Sequence, residues 1–261
     1  LPQIVGGIND ESVDRTAKIF RKVTPTIVCV SSLEAAELIK LLDNTFRDMK
    51  FAYANSIAKY CEKNNLNAFD VIRAANQGYR RNIIPIPSPG VGGACLSKDP
   101  HILVESVADL GLPLVKLARL INESIPEQIV SRLDLEFSLR GKTVFVIGFA
   151  FKGVPETNDM RDSPTLDLVR HLKDKGSIII GYDPLVKNSE IKSLGVRPLE
   201  FINQGFIDAD IVIFMINHHS FFDLNIDDLV SNMKDGGVVY DGWNIFRRED
   251  VERSGIRYRG I

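Results

Sequence analysis

A chain of 261 residues with 44% hydrophobic and 25% charged side chains holds enough apolar material for more than one compact unit, and two is the working count. Its 32 basic and 34 acidic residues leave a formal charge of -2, which supplies no polycationic field for nucleic acid or an anionic membrane surface. No apolar run reaches the roughly 18 residues of a membrane span, and three cysteines without CxxC spacing fit neither a disulfide framework nor a zinc site, so a soluble protein of the reducing cytoplasm is expected.

The chain opens "LPQIVGGIND", with no initiator methionine and no leader-like stretch, and reads as the middle of a domain, so a fragment is expected. Residues 1–32 hold an apolar run at "QIVGG", a helix start after Asn9 or Asp10 and a β-rich "TPTIVCVSS", which predicts two strands with a helix between. From Leu33 to about Asn64, Leu42, Phe46, Met49, Tyr53, Ile57 and Tyr60 recur at steps of three and four, predicting one apolar stripe on a helix of about eight turns. Further helices are predicted around 67–77 and from Pro100 to Phe137, the latter divided at Gly111 and Pro113, which makes 33–138 an all-helical unit.

After Lys142 the texture changes. "TVFVIG", "SIIIGYD", "IVIFMI" and "GVVYDG" are short β-branched runs separated by helix-like segments such as "SPTLDLVRHLKDKG". That alternation predicts a Rossmann-like, doubly wound α/β domain with a parallel sheet over 139–261.

In such a sheet ligands bind beyond the carboxyl ends of the strands, which directs attention to "GFAFKGVPETNDMRDSP" after the first one. Aromatic residues stand where a GxGxxG fingerprint needs glycines, so this turn is not a standard dinucleotide site. Lys152 and Arg161 lie before a helix that Ser163 and Pro164 would start as N-cap and N1, a setting that suits a phosphate or leaves two solvated cations.

The stretch "PGVGGACLSKDP" puts Cys95 behind Gly90, Gly92 and Gly93 and ahead of Lys98. A cation and a helix start both favour the thiolate, which makes Cys95 a candidate nucleophile; the bland reading is a bend in which Asp99 and Pro100 are an ordinary N-cap and N1 pair. Cys29 and Cys61 read as small core or helix residues. Lys40 and Asn44, four apart, share a helix face roughly opposite the apolar stripe, where they either hold an oxyanion or water or are simply solvated. His101, His171, His218 and His219 show no ligand spacing, so no metal is expected, and "NHH" reads as a loop end.

Taken in order, "EAAELIKLLDNTFRDMKFAYANSIAKYC", "PGVGGACLSKDP" and "VIGFAFKGVPETNDMRDSPTLDLVRHL" resemble the nucleotide-sugar dehydrogenases, the UDP-glucose, GDP-mannose and UDP-N-acetylhexosamine 6-dehydrogenases, over essentially the whole chain. The resemblance implies that the C6 alcohol of a UDP-hexose is oxidised twice by NAD to a carboxylate through a thioester on Cys95. It assigns Lys40 and Asn44 to the C6 oxygen, and Asp99 to proton transfer and thioester hydrolysis with a water. Ile86, Ser88, Gly90, Gly92 and Lys152 become contacts of the sugar nucleotide, and Arg81, with Arg80 as competitor, crosses into a partner subunit's site. Lys98 and Arg161 reach NAD, which is bound mainly by a preceding domain whose last strands residues 1–32 resemble. The long helix corresponds to a dimerisation core. In three respects the chain departs from the family: nearly all of the NAD-binding domain that comes first is missing, so the chain as given is expected neither to bind NAD well nor to turn over; the turn after Lys152 is two residues longer than in many relatives; and Trp243 stands where many have a substrate-holding arginine. The wording is closer to the UDP-N-acetylmannosamine branch than to the UDP-glucose branch. The other readings are a UDP-glucose 6-dehydrogenase, a non-catalytic dimeric nucleotide-sugar-binding module and, more distantly, a cysteine hydrolase working without NAD.

Overall fold

The computed structural model describes residues 2–261. Strands β1 (Gln3–Val5) and β2 (Ile27–Cys29) pair in parallel around α1 (Asp10–Phe20), as the opening pattern predicts. Asn9 starts α1, its side chain accepting from the Ser12 N–H at 2.9 Å while Ser12 Oγ accepts from the Asn9 N–H, so two end-of-helix donors are satisfied reciprocally. Cys29 does not sit in a core. Two short strands with a single helix have too few neighbours to enclose β2, and both Val28 and Cys29 are exposed.

Helix α2 (Leu33–Lys63) is capped by Ser32, which accepts from the Ala35 N–H at 3.1 Å, and α3 (Ala68–Asn76), α4 (Asp99–Ser106), α5 (Pro113–Glu123) and α6 (Ile125–Phe137) follow. Gly111 and Pro113 separate α4 from α5 as expected. A second break at Ser124 was not expected; Pro126 in the first turn of α6 has no N–H to give, so a new helix starts there.

Most of the apolar stripe of α2 faces outward, with Met49 and Ile57 half-buried. Phe46 is 62% and Tyr60 64% exposed, and Leu42 and Tyr53 are exposed with them. The buried face carries Thr45, Asp48, Ala52, Asn55, Ala58 and Cys61 instead, against which α4 and α5 pack. Small side chains let the helices approach closely, and Asp48 and Asn55 are paired with groups from α5 and the loop before α4.

The second half is one six-stranded sheet, entirely parallel. Its elements in chain order are β3 (Thr143–Ile147), α7 (Pro164–Asp174), β4 (Ile178–Tyr182), α8 (Asn188–Ser193), β5 (Arg197–Pro198), β6 (Ile211–Phe214), α9 (Ile226–Val230), β7 (Val238–Asp241), α10 (Arg248–Glu252) and β8 (Arg257–Gly260). The spatial order β5-β4-β3-β6-β7-β8 reverses between β3 and β6, the switch point of a doubly wound fold. Residues of β3 alternate between two cores: Val144 and Val146 pack with Leu133 of α6 and Leu168 and Leu172 of α7, whereas Phe145 and Ile147 pack with Phe206, Phe221 and Val251. Because α6 is both the last helix of the helical half and a cover for the sheet, it sets the two halves against each other.

Candidate functional site

One turn of α2 carries Lys40 and Asn44 toward the start of α4. Asn44 Nδ2 donates to Asp99 Oδ2 at 2.6 Å, Lys40 Nζ lies 3.6 Å from that oxygen, and Lys98 Nζ donates to Asp99 Oδ1 at 2.6 Å. The Asp99 carboxylate is fully buried beneath these partly exposed cations. Burial alone would push its carboxyl up, but the bonds from Lys98 and Asn44 and the charges of Lys40 and Lys98 hold it below the ordinary carboxylate value. Asp99 is therefore not the N-cap that its place before Pro100 suggests. It is the first helical residue, and its side chain turns away from the helix end to meet α2, leaving Lys98 in the cap position without a side-chain cap.

The thiol belongs to the turn just ahead of this acid. Cys95 is free and exposed, and its carbonyl accepts from the Lys98 and Asp99 N–H groups at 3.3 and 2.9 Å. The bond to Asp99 raises the Lys98 ammonium and the bonds to Asp159 raise the Arg161 guanidinium, with the neighbouring Cys95 side chain a lesser contributor to both. The turn is docked on the segment before α7: the Gly93 N–H donates to Asp162 O at 3.1 Å and Ser97 Oγ to Asp162 Oδ2 at 2.9 Å. A β-carbon on Gly92 would stand 2.0 Å from Asp162 O, and one on Gly93, at φ +91, 2.5 Å from the Phe151 ring. These two glycines are needed for the close approach itself.

Thus Cys95, Lys98, Asp99, Lys40, Asn44 and Arg161 come together. Arg161 is not an open cation, however; its guanidinium donates to both oxygens of Asp159 at 2.7 to 3.1 Å, which holds that carboxyl down to about 2. Lys152 lies on the same loop with Nζ 5.2 Å above the Phe151 ring. Ser88 is buried, its N–H bonded to Asn55 Oδ1 and its Oγ to Gly90 O, each at 2.9 Å, so the loop through Ser88, Gly90 and Gly92 is tied to α2. Ile86 and Arg81 are exposed nearer α3, and Arg81 makes no hydrogen bond or ion pair among the described residues. A groove of about 830 Å³ lined by Arg73, Arg132, Asn244 and Arg247 contains none of the predicted site residues.

Three features escaped the sequence reading. Asp183, directly after β4, accepts from the N–H groups of Phe149 (2.6 Å), Ala150 (3.2 Å), Leu185 (2.9 Å) and Val186 (3.0 Å). Its carboxylate thereby occupies the turn amides that a dinucleotide pyrophosphate would otherwise use, a second reason this turn is no standard NAD site. Burial works to raise the Asp183 carboxyl, and the adjacent His218 ring with the backbone bonds from Phe149, Leu185 and Val186 brings it below the ordinary value. His218 lies in the loop after β6 as "NHH" suggests, but it is fully buried there, with Nδ1 3.4 Å from Glu156 and Nε2 3.6 Å from Asp183. The acid directly after a strand in "SIIIGYD" was a readable signal for Asp183; nothing local marks His218.

A buried polar cluster is the third. Arg119 of α5 pairs with Asp48 of α2 at 2.7 Å, and Asn122 donates to the same carboxylate at 2.9 Å. Burial pushes the Asp48 carboxyl up, against the pull of Arg119 and Asn122. Trp243 is also structural in part, its indole Nε1 donating to Met215 O at 2.8 Å just past β6.

A helical unit that brings an exposed thiol to the switch-point end of a parallel, doubly wound sheet defines an α/β protein of two packed units. Residues 34–124 match the central domain of the UDP-glucose/GDP-mannose dehydrogenase family and residues 145–248 match that family's UDP binding domain, and the chain belongs to this family. The UDP-N-acetyl-D-mannosamine dehydrogenase of Methanococcus maripaludis is 28% identical over 98% of this chain and 59% of its own length. That of Pyrococcus horikoshii is 30% identical over 99% and 59%. A solved structure of UDP-D-ManNAc dehydrogenase from Pyrococcus horikoshii aligns with a TM-score of 0.87 at 29% identity, covering all of this chain and 59% of that one. The chain thus spans less than two thirds of the length of these relatives.

Proposed function

We propose that this chain is the thiol-bearing and UDP-sugar-binding part of an NAD-dependent dehydrogenase that oxidises the C6 alcohol of a UDP-hexose, foremost UDP-N-acetylmannosamine, to the uronic acid. The observation that carries this is the single cluster in which exposed Cys95 adjoins a buried, ionised Asp99 bound to Lys40, Asn44 and Lys98. The names of the relatives support the sugar.

In this reading Lys40 and Asn44 offer donors to the C6 oxygen as it gains negative charge, and Asp99 keeps both aimed at it. Cys95 adds through its thiolate to the C6 aldehyde, giving a thiohemiacetal whose second oxidation yields a thioester on sulfur. Asp99 then orients the water that cleaves the thioester, releasing the carboxylate and restoring the thiol. Each of the two oxidations releases one hydride, for which two NAD molecules bound in succession would supply the acceptors. Phe149 and Ala150 being satisfied by Asp183, the residues of this chain that fit a role toward NAD are Lys98 and Arg161 beside the Cys95 turn. Ile86, Ser88, Gly90, Gly92 and Lys152 line the way for the UDP-sugar, Arg81 extends toward a second subunit, and the outward face of α2 pairs two copies.

The test is calorimetric titration of the folded chain, wild type and Lys152→Ala, with UDP, UDP-N-acetylmannosamine and UDP-glucose. Binding of a uridine nucleotide that weakens about tenfold in the variant is expected. No binding, or equal binding by both proteins, overturns the assignment of Lys152, and tighter binding of UDP-glucose overturns the choice of sugar.

A further inference from the structure

Besides Asp162, the Cys95 turn is held by a residue that the reaction steps above do not use. Arg119 is 3% exposed. Its Nη1 donates to Asp48 Oδ1 at 2.7 Å and to Leu96 O at 2.8 Å, and its Nη2 donates to Val91 O at 2.9 Å. Val91 precedes and Leu96 follows the segment Gly92–Cys95, so one planar fork holds both limbs of the turn that presents the thiol.

The anchor of that fork stands in register with the site. Asp48 lies one helical turn beyond Asn44 and two beyond Lys40, on the α2 face that meets Asp99. Asn122 donates to both Asp48 O and Asp48 Oδ1 at 2.9 Å and accepts from Asn55, which in turn accepts from the Ser88 N–H. A buried ion pair is a poor way merely to glue two helices, since apolar side chains of similar volume do as well or better. What apolar side chains cannot do is donate to two carbonyls of a glycine-rich turn, and a lysine, with one charged nitrogen, cannot span all three acceptors either.

We propose that Arg119 is a positioning residue for the thiol: it sets the register of the Cys95 turn against α2, and through that the distance from sulfur to Lys40 and Asn44. The catalytic consequence rests on the reading of Cys95 as nucleophile, whereas the structural one does not.

The experiment uses Arg119→Lys and, because a lone buried Asp48 would unfold the helices, the double variant Asp48→Leu/Arg119→Met, which removes both charges. Hydrogen exchange is followed at the Ser97, Lys98 and Asp99 amides, with β3 and β6 amides as internal control. The expected result is exchange about tenfold faster at the turn in both variants, with the sheet unchanged. Turn amides exchanging at the wild-type rate in a folded double variant would overturn the proposal. In the full-length gene product, kcat for the UDP-sugar is expected to fall about a hundredfold in Arg119→Lys with KM nearly constant. An unchanged kcat alongside a loosened turn overturns the positioning role, and an active Cys95→Ser enzyme would instead sink the nucleophile reading while leaving the exchange result standing.

Discussion

Asn44 and Asp99, 55 residues apart in the chain, are joined by a 2.6 Å hydrogen bond from the Asn44 amide to the buried Asp99 carboxylate. The bond ties the long helix to the helix that follows the thiol, and it makes the ionisation of one acid part of the geometry around Cys95.

Because Asp99 is held below its ordinary value, its bonds contribute stability that is fully present above the unfolded value near ~3.9 and is lost as pH falls through the lower folded value. Urea unfolding at a series of pH values should show wild type weakening over that acid window. Asp99→Asn should lose that part of the slope and cost about 1–3 kcal/mol at neutral pH. An identical acid slope in both proteins would mean that the carboxylate is not held as described.

Thiol labelling should separate the three cysteines. Cys29 and Cys95 are exposed and Cys61 is 1% exposed, so a chromogenic disulfide reagent should titrate two thiols in the native protein and the third only after unfolding. Cys95→Ser should remove one of the two fast thiols and change stability by no more than about 0.5 kcal/mol. Three fast thiols in the native protein would show that the core around Cys61 is open.

Asp183→Ala removes the acceptor of four backbone N–H groups and should cost on the order of 3 kcal/mol or more in urea unfolding. The wild-type contribution has the same sign as that of Asp99: a depressed carboxyl, so it is present at neutral pH and lost on acidification. A variant as stable as wild type would show that water replaces the carboxylate without loss.

At Gly92 an alanine places its methyl against the Asp162 carbonyl, a backbone group that cannot swing aside. Gly92→Ala should destabilise by about 1–3 kcal/mol and speed alkylation of Cys95 as the turn leaves the 159–163 segment. Unchanged alkylation with lowered stability would separate the packing of Gly92 from the placement of the thiol.

Much of this was legible from residues alone. The switch from helical to alternating apolar texture near Lys142 foretold a helical unit followed by a parallel sheet, since buried strands must be apolar on both faces. Caps were readable too: Asn9 and Ser163 act as N-caps where expected. Cys95, Lys40 and Asn44 stand out by residue chemistry, each with an ordinary structural reading beside the catalytic one, whereas chemistry gives Asp99 only the reading of an N-cap and its catalytic role comes from the family resemblance.

What the sequence by itself determined was therefore the kind and order of elements, because backbone periodicity and capping are local properties that neighbours within a turn or two decide. Tertiary structure alone decided which face of α2 goes inward. Periodicity marks the Leu42, Phe46 and Tyr53 stripe but cannot say whether this chain covers it, and here close helix packing selected the small and polar face instead. It also decided that Arg119, an unremarkable charge in "KLARLINES", is buried, since its partner Asp48 lies 71 residues away and the two meet where α5 packs on α2 beside the loop carrying Cys95.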